Sequence, residues 1–154
     1  MTTIDGVQFR EASASDVPAM MLCHDAEGPP ADHRMAGYFN REHHPQKALL
    51  PRVGYVALVN GNIVGYIAGH RTTRHGCGGE VQYLFVSPKF RRRGIAREML
   101  RLLAEWFGTE GIQHVCVALA DDSPPQAKPF YVSVGAAPLK KYWYAWQDIG
   151  IVRR

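Results

Sequence analysis

The residues best equipped for chemistry lie where an apolar run meets an amphipathic one: Leu84-Phe85-Val86-Ser87-Pro88-Lys89-Phe90-Arg91-Arg92-Arg93-Gly94-Ile95-Ala96. Residues 80–87 read as a buried strand stopped by Pro88. From Ile95 onward, apolar residues recur at helical spacing through Met99, Leu102, Leu103 and Trp106. A basic, glycine-containing turn therefore opens straight into a helix. The first N–H groups of a helix lack intrahelical acceptors and carry the positive end of its dipole, which suits them to phosphate. Gly94 allows an unusual backbone conformation and close approach of a ligand, and Ala96 keeps the first turn thin. The arginines add charge-assisted hydrogen bonds to phosphate oxygens.

The charge distribution agrees. The 154 residues include 18 Lys and Arg against 14 Asp and Glu, a net charge of +4. Residues 89–101 hold six of the bases (Lys89, Arg91, Arg92, Arg93, Arg97, Arg101) and one acid, Glu98, so the remainder of the chain stands at −1. A surplus this local speaks for an anion site rather than a broad nucleic-acid surface. Taken alone, Arg-Arg-Arg-Gly is equally a solvated face or a nucleic-acid patch; its place between strand and helix is what separates it from those. It matches neither GxxxxGK[ST] nor GxGxxG.

The elements that position this turn are legible from periodicity. Residues 7–12 form a first strand. Ser15 and Asp16 are N-cap candidates for a helix through Val17, Met20, Met21 and Ala26, broken at Gly28-Pro29-Pro30. The histidine-rich stretch 31–50 reads as a second helix plus loop. Residues 55–59, the turn Asn60-Gly61 and residues 63–70 form a hairpin, and residues 72–79 are a loop leading to the strand 80–87. After the helix from Ile95 come a strand over 115–120, a short helix over 130–134 and a final aromatic strand over 142–149. The order β-α-α-β-β-β-α-β-α-β, with one β-α-β crossover at its centre, is that of a mixed α/β domain spanning residues 1–154. Three scattered cysteines without zinc spacing fit a reducing, cytoplasmic setting. No apolar run approaches the roughly 20 residues of a membrane span, and no signal peptide is visible.

Arg91-x-x-Gly94-x-Ala96, preceded by Val86-Ser87-Pro88, resembles the [QR]-x-x-G-x-[GA] signature of the GNAT superfamily of acyl-CoA-dependent N-acetyltransferases. Phe130-Tyr131-x-x-x-Gly135 resembles that family's later F/L-Y-x-x-x-G element, and the order of elements matches over most of the chain. The resemblance implies a mostly antiparallel central sheet with a parallel, splayed β-α-β core and flanking helices. It further implies acetyl-CoA as co-substrate. The pantetheine arm would pair with Leu84, Phe85 and Val86, using backbone groups left open on Phe85 and Val86. The pyrophosphate would rest on the amides from Arg91 through Arg92, Arg93, Gly94 and Ile95 to Ala96. Arg91 and Arg92 would aim side chains at the phosphates, while Arg97 and Arg101 would only steer charge. Pro124, Pro125 and Pro129 depart from the family pattern before Tyr131, and Ala136 replaces its usual aromatic. A helix beginning near Pro129 accommodates the last proline, because the first helical turn needs no N–H donor there.

Acetyl transfer to an amine requires a base, an oxyanion donor and an acid for the departing thiolate. On the resemblance, Glu80 is the base candidate, acting directly or through water; otherwise it is a strand-edge carboxylate. The Val86 N–H is the oxyanion donor, and Tyr131 is both a CoA contact and the acid, or else a core tyrosine. The acceptor, a small-molecule or peptide amine, would meet residues 25–50, 72–79 and 139–146. There Asp25, Glu27, Asp32 and Glu42 would attract a cation, and Tyr38, Phe39, Tyr142, Trp143, Tyr144 and Trp146 would pack on it. His43 and His44 read as a solvated loop; His70 and His75, five apart across a turn, read as surface histidines, with lining of the acceptor site as the alternative. The apolar faces of the last strand suggest a homodimer. Two non-catalytic classes stand beside the enzyme: a CoA-sensing module, and a nucleic-acid binder using the arginine patch. Acetyl-CoA is expected to raise the melting temperature while an oligonucleotide does not; salt-dependent oligonucleotide stabilisation would favour the nucleic-acid class.

Overall fold

Turn chemistry sets the backbone of the sheet. The computed structural model of the chain describes residues 2–24 and 34–153. Asp5-Gly6 and Asn60-Gly61 all take positive φ (46°, 79°, 51° and 82°), the geometry that two-residue hairpins demand. They join β1 (Thr2–Ile4) to β2 (Val7–Glu11), and β3 (Ala48–Val59) to β4 (Asn62–Thr72). With β5 (Gly79–Val86), β6 (Val115–Ala118), β7 (Ala137–Lys140) and β8 (Trp143–Trp146), they make one eight-stranded sheet in the order β1-β2-β3-β4-β5-β6-β8-β7. Every neighbouring pair is antiparallel except β5–β6.

The helix α3 (Ile95–Thr109) lies on one face of this sheet, burying Ile95, Met99, Leu100, Leu103, Ala104 and Phe107. It comes close because the sheet is bare beneath it. A Cβ on Gly79 would stand 2.5 Å from the Phe107 ring. One on Gly69 would stand 2.9 Å from the Glu80 carbonyl and 3.1 Å from both Leu103 and Phe107. The other face carries the short helices α1 (Val17–Leu22) and α2 (Met35–Phe39), whose Met20 and Met35 pack on Val56 and Tyr66. With both faces covered, β4 is buried along nearly its whole length. Among the described residues, no helix is long and apolar enough to cross a membrane.

Several boundaries differ from the sequence expectation, for physical reasons. β3 starts at Ala48 rather than residue 55, and Pro51 sits at a register shift between Ala48 and Arg52, where a missing donor is tolerated. Pro138 similarly lies in β7, one of the sheet's two edge strands. What reads as one strand over 142–149 is a hairpin arm, β8, followed by a 3-10 turn at Ile149–Arg153 that returns Ile149 and Val152 to the core. Trp146 is fully buried, its indole N–H donating to the Val134 carbonyl at 3.0 Å, so this aromatic run is used within the chain. The helix α4 (Ala127–Ser133) begins two residues before Pro129, which falls at its third position, where the N–H has no intrahelical acceptor. α1 covers Val17–Leu22 only; Ala26 and the break at residues 28–30 lie outside the described residues.

Gly69→Ala is expected to lower stability by about 1–3 kcal/mol through overpacking of α3 on the sheet. Urea denaturation measures this, and an unchanged midpoint would contradict the close approach.

Candidate active site

Beyond Val81 the sheet opens. β5 pairs with β6 at three positions only, Gly79 with Val115, Glu80 with Cys116 and Val81 with Val117, then runs on to Val86 without that neighbour. β6 turns instead toward β8, pairing Ala118 with Trp143, and the Leu119 N–H donates to the Tyr142 carbonyl at 2.7 Å. On its other side β5 remains bound to β4. The Ser87 N–H donates to the Val64 carbonyl at 2.8 Å while Val86 faces Gly65, which makes Val86–Gly65 a non-hydrogen-bonded pair. The N–H and C=O of Val86, and by alternation those of Leu84, therefore face the gap. Phe85 bonds to Tyr66 in β4, so the open backbone groups belong to Leu84 and Val86, not to Phe85 as expected from the sequence.

The basic turn lies at the end of this strand. Pro88–Phe90 form a 3-10 turn, Arg92 (φ 64°) and Gly94 (φ 82°) take left-handed conformations, and α3 begins at Ile95. The first helical bond runs from the Glu98 N–H to the Gly94 carbonyl at 3.0 Å, which leaves the N–H groups of Ile95, Ala96 and Arg97 without intrahelical acceptors. A cavity of about 380 Å³ joins the two features. Leu84, Phe85 and Val86 form one wall, Arg91, Arg92, Gly94, Ile95, Ala96 and Arg97 its end, and Phe130 and Tyr131 of α4 the other wall. Nine of the eleven site candidates thus meet in one cavity; Arg93 and Glu80 do not line it.

The arginines divide their work. Arg91 donates from Nε to the Val86 carbonyl at 2.9 Å and lies 5.4 Å from the Phe85 ring centroid. Arg93 lies over Phe90 at 5.2 Å, and Arg101 pairs with Glu98 at 2.7 Å and Glu105 at 3.2 Å. Tyr131, 6% exposed, meets Trp146 edge-on at 5.8 Å, and burial raises its phenol pKa, so it holds its proton.

Glu80 stands on the opposite face from α3, at the last rung but one before the gap. Strict alternation would put it on the face of Leu84 and Val86. A bulge in β5 between the pairs Ala68–Tyr83 and Gly69–Val81 rephases the strand and brings Glu80 to the face of Tyr83 and Phe85. There Arg52, His70, Glu80, Cys116 and Ala145 follow one another across five strands. Glu80 is 4% exposed; its Oε1 accepts from Arg74 Nε at 3.0 Å and faces His70 Nε2 at 3.5 Å. Arg74 lies over the Trp143 ring at 4.8 Å. His70 is fully buried, correcting the surface reading, and its Nδ1 is 2.8 Å from the Tyr38 hydroxyl. His75, partly buried against Trp143, has its pKa lowered by burial and by the neighbouring Lys140, Arg74 and Lys47. His44 meets Arg52 at 2.6 Å. Asp25, Glu27 and Asp32 lie outside the described residues. Sequence reasoning missed Tyr38, His70 and Arg74 as neighbours of Glu80. The hairpin joining β4 to β5 already pointed to His70, because antiparallel strands flanking the 72–79 loop bring residues 70 and 80 opposite.

A Cβ on Gly94 would meet no atom within 4 Å, so Gly94→Ala faces only the cost of its left-handed φ, about 1–2 kcal/mol. Coenzyme A binding is expected to weaken by more than that cost explains, because the new methyl stands where phosphate would approach. Calorimetric titration beside thermal melts separates the two effects, and unchanged affinity would count against the cradle.

The fold is shared with solved acetyltransferases. A GNAT-family putative acetyltransferase from Desulfovibrio desulfuricans superposes with a TM-score of 0.73 at 14% identity, covering 93% of this chain and 99% of that one. A GNAT-family acetyltransferase from Staphylococcus aureus Mu50 gives 0.71 at 14% identity, covering 93% and 99%. The PaiA N-acetyltransferase from Thermoplasma acidophilum, solved in complex with coenzyme A, gives 0.63 at 13% identity, covering 90% and 96%. No curated protein sequence matches the chain. The sequence model described as "Acetyltransferase (GNAT) family" matches residues 20–136, well over half of the chain. On that match, together with a sheet that splays at the strand leading into the Arg91–Ala96 turn, the chain belongs to the GNAT family of acetyltransferases.

Proposed function

We propose that the protein moves the acetyl group of acetyl-CoA to a primary amine by direct attack within a ternary complex. The observation that carries this reading is the gap itself. Beyond Val81, β5 offers a backbone edge at Leu84 and Val86 that no described strand pairs, in the same cavity as the α3 amides without intrahelical acceptors and the Tyr131 side chain. An extended pantetheine arm bonds to such an edge as an added strand does. The pyrophosphate takes the amides of Arg91–Ala96, with Arg92 and Arg97 at the cavity end.

The chain's own groups then suffice for the chemistry. Glu80, two rungs from the open edge, accepts the proton of the acceptor amine, directly or through water. As the C–N bond forms, the Val86 N–H donates to the developing oxyanion; its carbonyl is already engaged by Arg91. As the C–S bond breaks, Tyr131 gives its proton to the leaving thiolate. Burial keeps that phenol protonated until then, which suits an acid rather than a base.

The test is thiol release from acetyl-CoA with ethanolamine, glycinamide, lysine, spermidine and a short peptide as acceptors. At least one is expected to be acetylated, with Glu80→Gln lowering kcat by about 10²–10⁴-fold. Tyr131→Phe is expected to lower kcat far more than it raises the KM for acetyl-CoA. Thermal stabilisation by acetyl-CoA with no thiol release for any acceptor would overturn the enzyme reading in favour of a CoA sensor.

A further inference from the structure

The base candidate is held by a buried chain of side chains that the steps above do not use. Glu80 receives two groups, and both address the same oxygen: Arg74 Nε at 3.0 Å and His70 Nε2 at 3.5 Å from Oε1. No hydrogen bond reaches Oε2 among the described residues. His70 has no exposed surface, and its Nε2 has no hydrogen-bond partner, so a ring nitrogen with unspent capacity faces a carboxylate. Its other nitrogen, Nδ1, is 2.8 Å from the Tyr38 hydroxyl. A lone pair on Nε2 would repel the carboxylate, so the compatible tautomer carries hydrogen on Nε2 and accepts on Nδ1. Tyr38 supplies the matching donor: burial raises its phenol pKa and keeps it protonated.

We propose that His70, oriented by Tyr38, is a positioning residue for the transfer: its Nε2–H and Arg74 together fix Oε1 of Glu80, so that Oε2 is the oxygen that takes the acceptor's proton. The proposal rests on Glu80 being the base. A donor at 3.5 Å is within the range of catalytic hydrogen bonds before substrate binds, which are often long at that stage. The other groups facing this cluster are consistent with the role. The Arg52 guanidinium lies 4.5 Å from the Tyr38 ring centroid, and Tyr83 meets that ring edge-on at 5.4 Å, so the phenol is held from two sides. Beside Glu80, the Cys116 thiol is pushed up by burial and holds its proton, so it adds no competing charge.

The test uses the full chain, acetyl-CoA and the fastest acceptor among ethanolamine, glycinamide, lysine, spermidine and the short peptide. Tyr38→Phe is expected to lower kcat about tenfold, the worth of the one hydrogen bond from His70 to the Glu80 carboxylate that Tyr38 orients, with the KM for acetyl-CoA unchanged. His70→Leu is expected to lose at least as much. His70→Gln, which returns an N–H near the Nε2 position, is expected to recover most of it. In a Glu80→Gln background, Tyr38→Phe is expected to have no further effect, because it acts through Glu80. Wild-type kcat in Tyr38→Phe beside a slow Glu80→Gln would overturn this inference alone, as would additive losses in the double variant. Wild-type kcat in Glu80→Gln, or no acceptor turned over at all, would overturn the base reading and this inference with it. Should His70→Leu not fold, Tyr38→Phe, which keeps the ring packing, decides the matter.

Discussion

A strand inside a sheet usually satisfies its backbone on both sides, and β5 does so only as far as Val81. From there its neighbour β6 is drawn away by pairing with β8, and Leu84 and Val86 keep backbone groups that no strand among the described residues takes up. A buried edge of that kind is costly unless something bonds to it. The chain meets part of the demand itself, through Arg91 on the Val86 carbonyl, and walls the rest into a cavity between β5, α3 and α4. The gap survives because both of its sides are anchored independently. β5 is held by β4 and by α3, seated on the bare backbone at Gly69 and Gly79, while β6 and α4 are held through Trp146.

The basic segment takes a different form once its side chains are followed. Arg91, Arg93 and Arg101 are committed to a carbonyl, an aromatic face and two carboxylates respectively. What the turn contributes is chiefly geometric: two left-handed residues swing the chain so that the free amides of α3 open into the cavity. The positive charge around them is a background field, and the amides are the groups that line the cavity end.

On the other face the problem is a buried carboxylate. Glu80 is tolerated because Arg74 and His70 stand against it, and Tyr38 and Arg52 stand behind them. Removing one member of such a buried set leaves the rest uncompensated. The β5 bulge puts Glu80 on the face of that cluster, opposite α3, while the strand edge beyond Val81 stays open.

The sequence by itself determined what local chemistry can encode: the helix over Ile95–Thr109, the Asn60-Gly61 hairpin, the basic turn and the family it resembles. Apolar periodicity, turn dipeptides and a strand-turn-helix junction are properties of neighbouring residues. Strands containing Pro51 and Pro138 stayed hidden because proline argues against a strand until a bulge or an edge removes the need for its N–H. Only the tertiary structure decided where β5 parts from β6, which of its backbone groups remain open and which face Glu80 occupies. Each of those depends on pairing between residues far apart in the chain, and one extra residue at a bulge inverts every side chain beyond it.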